Sequence, residues 1–242
     1  MENEIAVIAL CEVPQVSYCP MYGYQRLPFY DDEKGRGIEI FVSGGLQANF
    51  FRSRKRSCIA RIDTLDMNLA VVHLNSERTP NMEEYHRTDI SVLVNDIAST
   101  EKQYNHNTIL VGDFNVNIID PLILSIVGLN ARLFRYQVDK EIETKHELKR
   151  ELFYSPMLEI YKDNESEDKP KGTYFFESNA LQWACFDQLF VRNKLLNRYV
   201  PHSLKIIDEL IGNKLVKNHR PDFAISDHLP IYFEFKEVGI NG

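Results

Sequence analysis

Two short segments carry residues that could do chemistry. Gly112-Asp113-Phe114-Asn115 follows the apolar run Ile109-Leu110-Val111, and Ser226-Asp227-His228-Leu229-Pro230 precedes Ile231-Tyr232-Phe233-Glu234-Phe235. Each sets acid, amide or imidazole groups at the end of a strand-like run, and a strand end is a rigid place from which to present them. Further polar residues interrupt apolar context in the same manner: Glu12 in Ala9-Leu10-Cys11-Glu12-Val13, His73 in Val71-Val72-His73-Leu74-Asn75, and Asp187 in Phe186-Asp187-Gln188-Leu189-Phe190.

These types suit hydrolysis of a phosphoester. The anionic oxygens of a phosphodiester repel a nucleophile, so a catalyst must neutralise charge, activate water and stabilise the leaving alkoxide. Glu12 is a hard oxygen ligand of the kind Mg²⁺ takes, Mn²⁺ being the variant. Asp113 would activate or orient water, and Asn115, two residues on, would point the same way from an extended segment. His228 would hydrogen-bond a phosphate oxygen. Asp227 would bind a second metal or a water, and His73 would give a proton to the leaving oxygen. Each residue taken alone has a plainer role: an exposed carboxylate, a turn former or a core histidine.

Taken in order, these residues resemble the endonuclease/exonuclease/phosphatase superfamily, with its deoxyribonuclease I-like fold. Gly172-Thr173-Tyr174 and Trp183 fit as well, and the likeness runs from about Ile5 to Phe235. It implies an α/β (α+β) two-sheet β-sandwich flanked by helices, a single domain over residues 1–242, with the residues above lining one cleft and Asp187 holding the ring and tautomer of His228. It also implies a metal-dependent phosphoesterase, foremost a nuclease on DNA or RNA. A phosphatase or phosphodiesterase on a small molecule or lipid headgroup is the alternative within the fold. A non-catalytic binding module keeping a vestigial site is the alternative outside it. His73 stands where the apurinic-site endonuclease branch tends to carry Tyr. Glu39 is the candidate by position for the acid that orients it. The family's first strand, ending in an Asn, has no counterpart before Glu12. The chain is therefore expected to lack that strand and to expose a sheet edge that invites self-association or a partner chain.

The supporting elements are short runs rich in Ile, Val, Leu and Phe. Strands are predicted at 5–10, 37–42, 57–62, 68–74, 108–112, 186–192 and 231–235. Thr79-Pro80 has the form of a helix start, and Ile90, Leu93, Val94 and Ile97 fall at helical spacing, predicting a helix over 81–100. A charge-rich second helix is expected over 139–153, and a loop over 163–172.

Composition narrows the partners. The 242 residues are 44% hydrophobic and 26% charged, ordinary for a globular protein. No apolar run reaches membrane-spanning length, so no membrane insertion is expected. The acidic start Met1-Glu2-Asn3-Glu4 does not read as a leader, and four cysteines without metal spacing suit a reduced, cytoplasmic protein. The net charge of −7 argues against binding nucleic acid through the global field. The local cluster Arg52, Arg54, Lys55 and Arg56 is the candidate contact for a nucleic-acid substrate, weighed evenly against a solvated hairpin tip.

Overall fold

The computed structural model describes residues 5–14, 21–27, 36–76, 82–145, 147–162, 169–177 and 182–236. The chain divides into two compact units, Met1–Asp113 and Phe114–Gly242.

In the first unit, β1 (Val7–Pro14), β2 (Tyr24–Leu27) and β3 (Arg36–Ser43) form an antiparallel sheet in the order β1-β3-β2. Next come β4 (Ala48–Ser53), β5 (Ser57–Ile62) and β6 (Met67–His73), paired in sequence as an antiparallel meander. The helix α1 (Met82–Gln103) then crosses over to β7 (Thr108–Asp113), which pairs with β6 in parallel. A parallel neighbour needs a long connection of this kind, and a helix is the usual one. β1 and β3 pack on β6, as does α1. With both faces covered, β5, β6 and β7 are buried nearly throughout, so they read as unbroken apolar runs. Ile90, Leu93, Val94 and Ile97 are all buried, as their helical spacing predicts. The Thr79-Pro80 start lies outside the described residues.

Among the described residues, β1 is the end strand of its sheet, paired with β3 alone. Cys11, Cys58 and Cys185 form no disulfide among the described residues, and Cys19 lies outside them. Burial pushes the Cys58 thiol up to about 12, which leaves it an inert core residue.

The second unit is built from shorter pieces. They are α2 (Pro121–Leu124), β8 (Ala131–Arg132), β9 (Ile142–Lys145), β10 (Leu148–Glu151), β11 (Phe153–Tyr154), α3 (Glu159–Lys162), β12 (Tyr174–Phe175), β13 (Trp183–Ala184) and β14 (Asp187–Arg192). β14 pairs antiparallel with β11, and β11 parallel with β8. Phe114, Phe153 and Phe190 are fully buried, and the Phe190 ring contacts the other two at 5.0 and 6.3 Å.

The helix expected over 139–153 is instead the β9–β10 hairpin. Ile142 and Leu148 are the only apolar positions between 140 and 151. A helix there would have good propensity but no apolar face to bury, and packing of such a face is what stabilises most protein helices. As a hairpin, Arg150 lies opposite Glu143, and Glu143 also pairs with Arg132 at 2.5 Å. The last predicted strand is shorter than 231–235: it is β16 (Ile231–Tyr232), paired with β15 (Lys205–Ile206). Phe235 joins Tyr199 through an isolated bridge. No described helix is long and apolar enough to cross a membrane.

Candidate active site

In the first unit, strand register gathers the candidates. His73 and Asp113 are direct partners in the parallel β6–β7 ladder, so their side chains emerge side by side. That ladder depends on Gly112. A Cβ at Gly112 would lie 2.0 Å from the Val72 carbonyl oxygen, and its φ of +140° is one that other residues rarely adopt. The glycine before the acid is thus explained by close strand approach.

Glu12 reaches the same place by a different device. It does not stand at a strand end, as the sequence suggests, but inside β1. The β1–β3 register slips between Leu10 and Val13, and Glu12 has a φ of +58°. A bulge of this kind re-aims a side chain. Glu12 Oε1 comes within 3.3 Å of His73 Nε2, and Asp113 Oδ2 within 3.8 Å of the same nitrogen. The Glu12 side chain is half exposed and the Asp113 side chain buried. Glu39 does not orient His73: it is buried on β3 and forms an ion pair with Arg26.

In the second unit, His228 Nδ1 and Asp187 Oδ2 are 2.7 Å apart. A carboxylate only accepts, so Nδ1–H donates. The Tyr174 ring lies 5.0 Å from the imidazole, and Tyr174 in turn stacks on Phe186 at 5.3 Å. The organiser is Thr173, which is fully buried. Its hydroxyl accepts from the backbone N–H groups of Phe186 and Asp187, at 3.1 and 3.0 Å. Its carbonyl accepts from Leu229 N–H at 2.8 Å. One residue thereby ties the start of β14 to the segment that carries His228. The Ser226 hydroxyl accepts from His228 N–H at 3.1 Å and caps that turn.

Asn115 belongs to the same neighbourhood. Phe114 N–H donates to Phe186 O at 2.9 Å, and the Gln188 side-chain amide donates to Val116 O at 2.6 Å. These ties flank Asn115 on one strand and Asp187 on the other. Asn115 is buried and has a φ of +50°, a conformation Asn tolerates better than most residues. Asp227 is exposed, beside His228 in the chain.

The basic hairpin is not a loose tip. Asp96 of α1 receives Arg52 Nη1 at 2.6 Å and Arg54 through two guanidinium nitrogens. Arg56 donates to the Asn75 side chain. Burial would push the Asp96 carboxyl up, but the Arg54 and Arg52 guanidiniums outweigh it and hold it below its ordinary value.

Thr173, Tyr174, Ser226 and Gln188 carry no weight as chemistry in the sequence. The signal available for Thr173 is its place in Gly172-Thr173-Tyr174. Gly172 is explained by packing, since a Cβ there would lie 2.6 Å from the Ala184 carbonyl oxygen.

No family model matches the chain, and no curated protein matches its sequence. Solved structures do match. The human Nocturnin catalytic domain with bound sulfate anion is 16% identical over 96% of this chain and 81% of its own, with a TM-score of 0.55. Truncated Caenorhabditis elegans TDP2 is 14% identical over 96% and 84%, with a TM-score of 0.56. An endonuclease/exonuclease/phosphatase family protein from Bacteroides thetaiotaomicron is 13% identical over 89% and 74%, with a TM-score of 0.51. At such identities the likeness is one of architecture, and the architecture of this chain is the deoxyribonuclease I-like fold that these structures share.

Proposed function

We propose that the chain is a Mg²⁺-dependent phosphoesterase that hydrolyses the phosphodiester bonds of DNA or RNA. The observation that carries the reading is the Asp187–His228 pair, fixed by Thr173 and walled by aromatic rings. A histidine ordered in this way is pre-positioned for a phosphate oxygen before any substrate arrives. The bound sulfate in the Nocturnin structure supports a fold that receives tetrahedral oxyanions.

Glu12 and Asp113 bring two carboxylate oxygens close to one atom, His73 Nε2. That donor set fits a hard divalent cation, which Glu12 would hold, while Asp227 would bind a second metal or a water. Such an ion supplies charge neutralisation at the phosphate and at the departing oxygen. The chain's own groups do the rest. Asp113 orients the attacking water and takes its proton. Asn115 donates to the phosphate and fixes the water. In its imidazolium form His228 donates from Nε2 to a non-bridging oxygen while Asp187 accepts from Nδ1–H. His73 delivers a proton to the leaving oxygen.

One observation favours the small-substrate alternative. Asp96 neutralises part of the hairpin's positive charge, in a chain whose net charge is −7. Plasmid, single-stranded DNA, RNA and bis-p-nitrophenyl phosphate, each assayed with and without Mg²⁺, decide between the readings. Mg²⁺-dependent cleavage of a polymer is the expected result. Cleavage of the small ester alone selects the alternative, and no cleavage of any substrate overturns the enzyme reading.

A further inference from the structure

The first unit holds a pocket of about 400 Å³ lined by Ser53, Arg54, Lys55, Arg56, Val72 and Asp89 among others. It does not coincide with the His73 group. Val72 and His73 are successive residues of β6 and so face opposite sides of the sheet. Val72 lines the pocket together with Asp89 of α1, whereas His73 meets Glu12 and Asp113.

Two features of the pocket point to an anionic ligand. The Ser53 hydroxyl is shut off from solvent and has no hydrogen-bond partner among the described residues. A buried hydroxyl in that state costs free energy that a ligand oxygen would recover. Arg54 and Arg56 are anchored by Asp96 and Asn75, so their guanidiniums are already ordered on the pocket wall. Asp89 is the one carboxylate there. Burial pushes its carboxyl up, against the pull of Arg56, His86 and Lys55.

We propose that this pocket binds a phosphate group other than the one being cleaved, with Ser53, Lys55 and the two guanidiniums as its donors. The phosphate is either one further along a nucleic-acid substrate or free inorganic phosphate. The first source rests on the phosphoesterase reading; the binding itself does not. The lining favours phosphate because it combines a hydroxyl, an ammonium and planar guanidiniums.

The test titrates the full chain with inorganic phosphate by calorimetry, in wild type and in Ser53→Ala/Lys55→Ala. The double variant should bind phosphate at least about tenfold more weakly. Lys55→Arg should bind nearly as wild type, and so should His228→Ala, which leaves the pocket intact. Unfolding midpoints of all variants separate lost binding from lost folding. In the second arm, a Michaelis constant about tenfold higher on a single-stranded oligonucleotide, with unchanged turnover of bis-p-nitrophenyl phosphate, assigns the phosphate to the substrate chain. An unchanged constant assigns the free ion. Equal phosphate affinity in wild type and the double variant, or none in wild type, overturns the proposal. An absence of hydrolysis overturns the phosphoesterase reading and leaves the titration to decide the pocket.

Discussion

His228 gives Nδ1 to one carboxylate at 2.7 Å and packs its ring against Tyr174. His73 turns one nitrogen toward two carboxylates, at 3.3 and 3.8 Å. The first distance is a strong hydrogen bond; the last is too long to be one. Asp187 and His228 form a finished pair that needs nothing more to hold its shape. Glu12, His73 and Asp113 form a more open set, with two carboxylates at longer range around one imidazole nitrogen. Imidazole and carboxylate thus serve two purposes in one chain, and the difference lies in how tightly the backbone closes on them.

The largest effect should come from the closed pair. His228→Ala should lower kcat by about two orders of magnitude or more with the fold intact, as circular dichroism would show. Wild-type turnover in that variant would remove His228 from the chemistry. The open set should answer in a different variable. Glu12→Ala should raise the Mg²⁺ concentration for half-maximal activity by about 10–100-fold, whereas Asp187→Asn should lower kcat without moving it. A Mg²⁺ titration that shifts equally in both variants would erase the distinction.

Thr173→Ala probes what closes the pair. It leaves two backbone N–H groups without their acceptor, for about 1–3 kcal/mol of stability. It should lower kcat more than it raises KM, with recovery in Thr173→Ser. Recovery of the unfolding midpoint without recovery of kcat would show that Thr173 does not position Asp187 and His228.

The smallest effect belongs to Asp96, a carboxylate that holds two cations without chemistry. Its folded pKa lies below the ordinary 3.8, so its contribution is present above that pH and fades as pH falls through the depressed value. Asp96→Asn should cost about 1 kcal/mol at neutral pH, because the arginines are partly exposed. The wild-type advantage should shrink in acid. An advantage that persists unchanged at low pH would mean that packing, not charge, joins the hairpin to α1.

The split between legible and illegible follows from range. The apolar runs of β5, β6 and β7 and the spacing along α1 are local patterns with long periods of evidence, and they predict those elements closely. The 139–153 segment failed because its Glu, Lys and Arg favour a helix, while what it packs against is not written in its own residues. The two-residue strands of the second unit are too short to show any period.

For the site, the amino-acid sequence alone determined the chemistry on offer: carboxylates, amide and imidazoles at the ends of apolar runs, and a glycine where β6 and β7 approach. Only the tertiary structure decided which groups meet. Glu12 turns toward His73 because a bulge in β1 redirects it, and Asp187 meets His228 because Thr173 joins segments about 40 residues apart in the chain. Glu39, a good candidate by position, is taken by Arg26 instead. Residue type is a local property of the chain, whereas a hydrogen bond between distant strands depends on the register and bulges that the whole fold imposes.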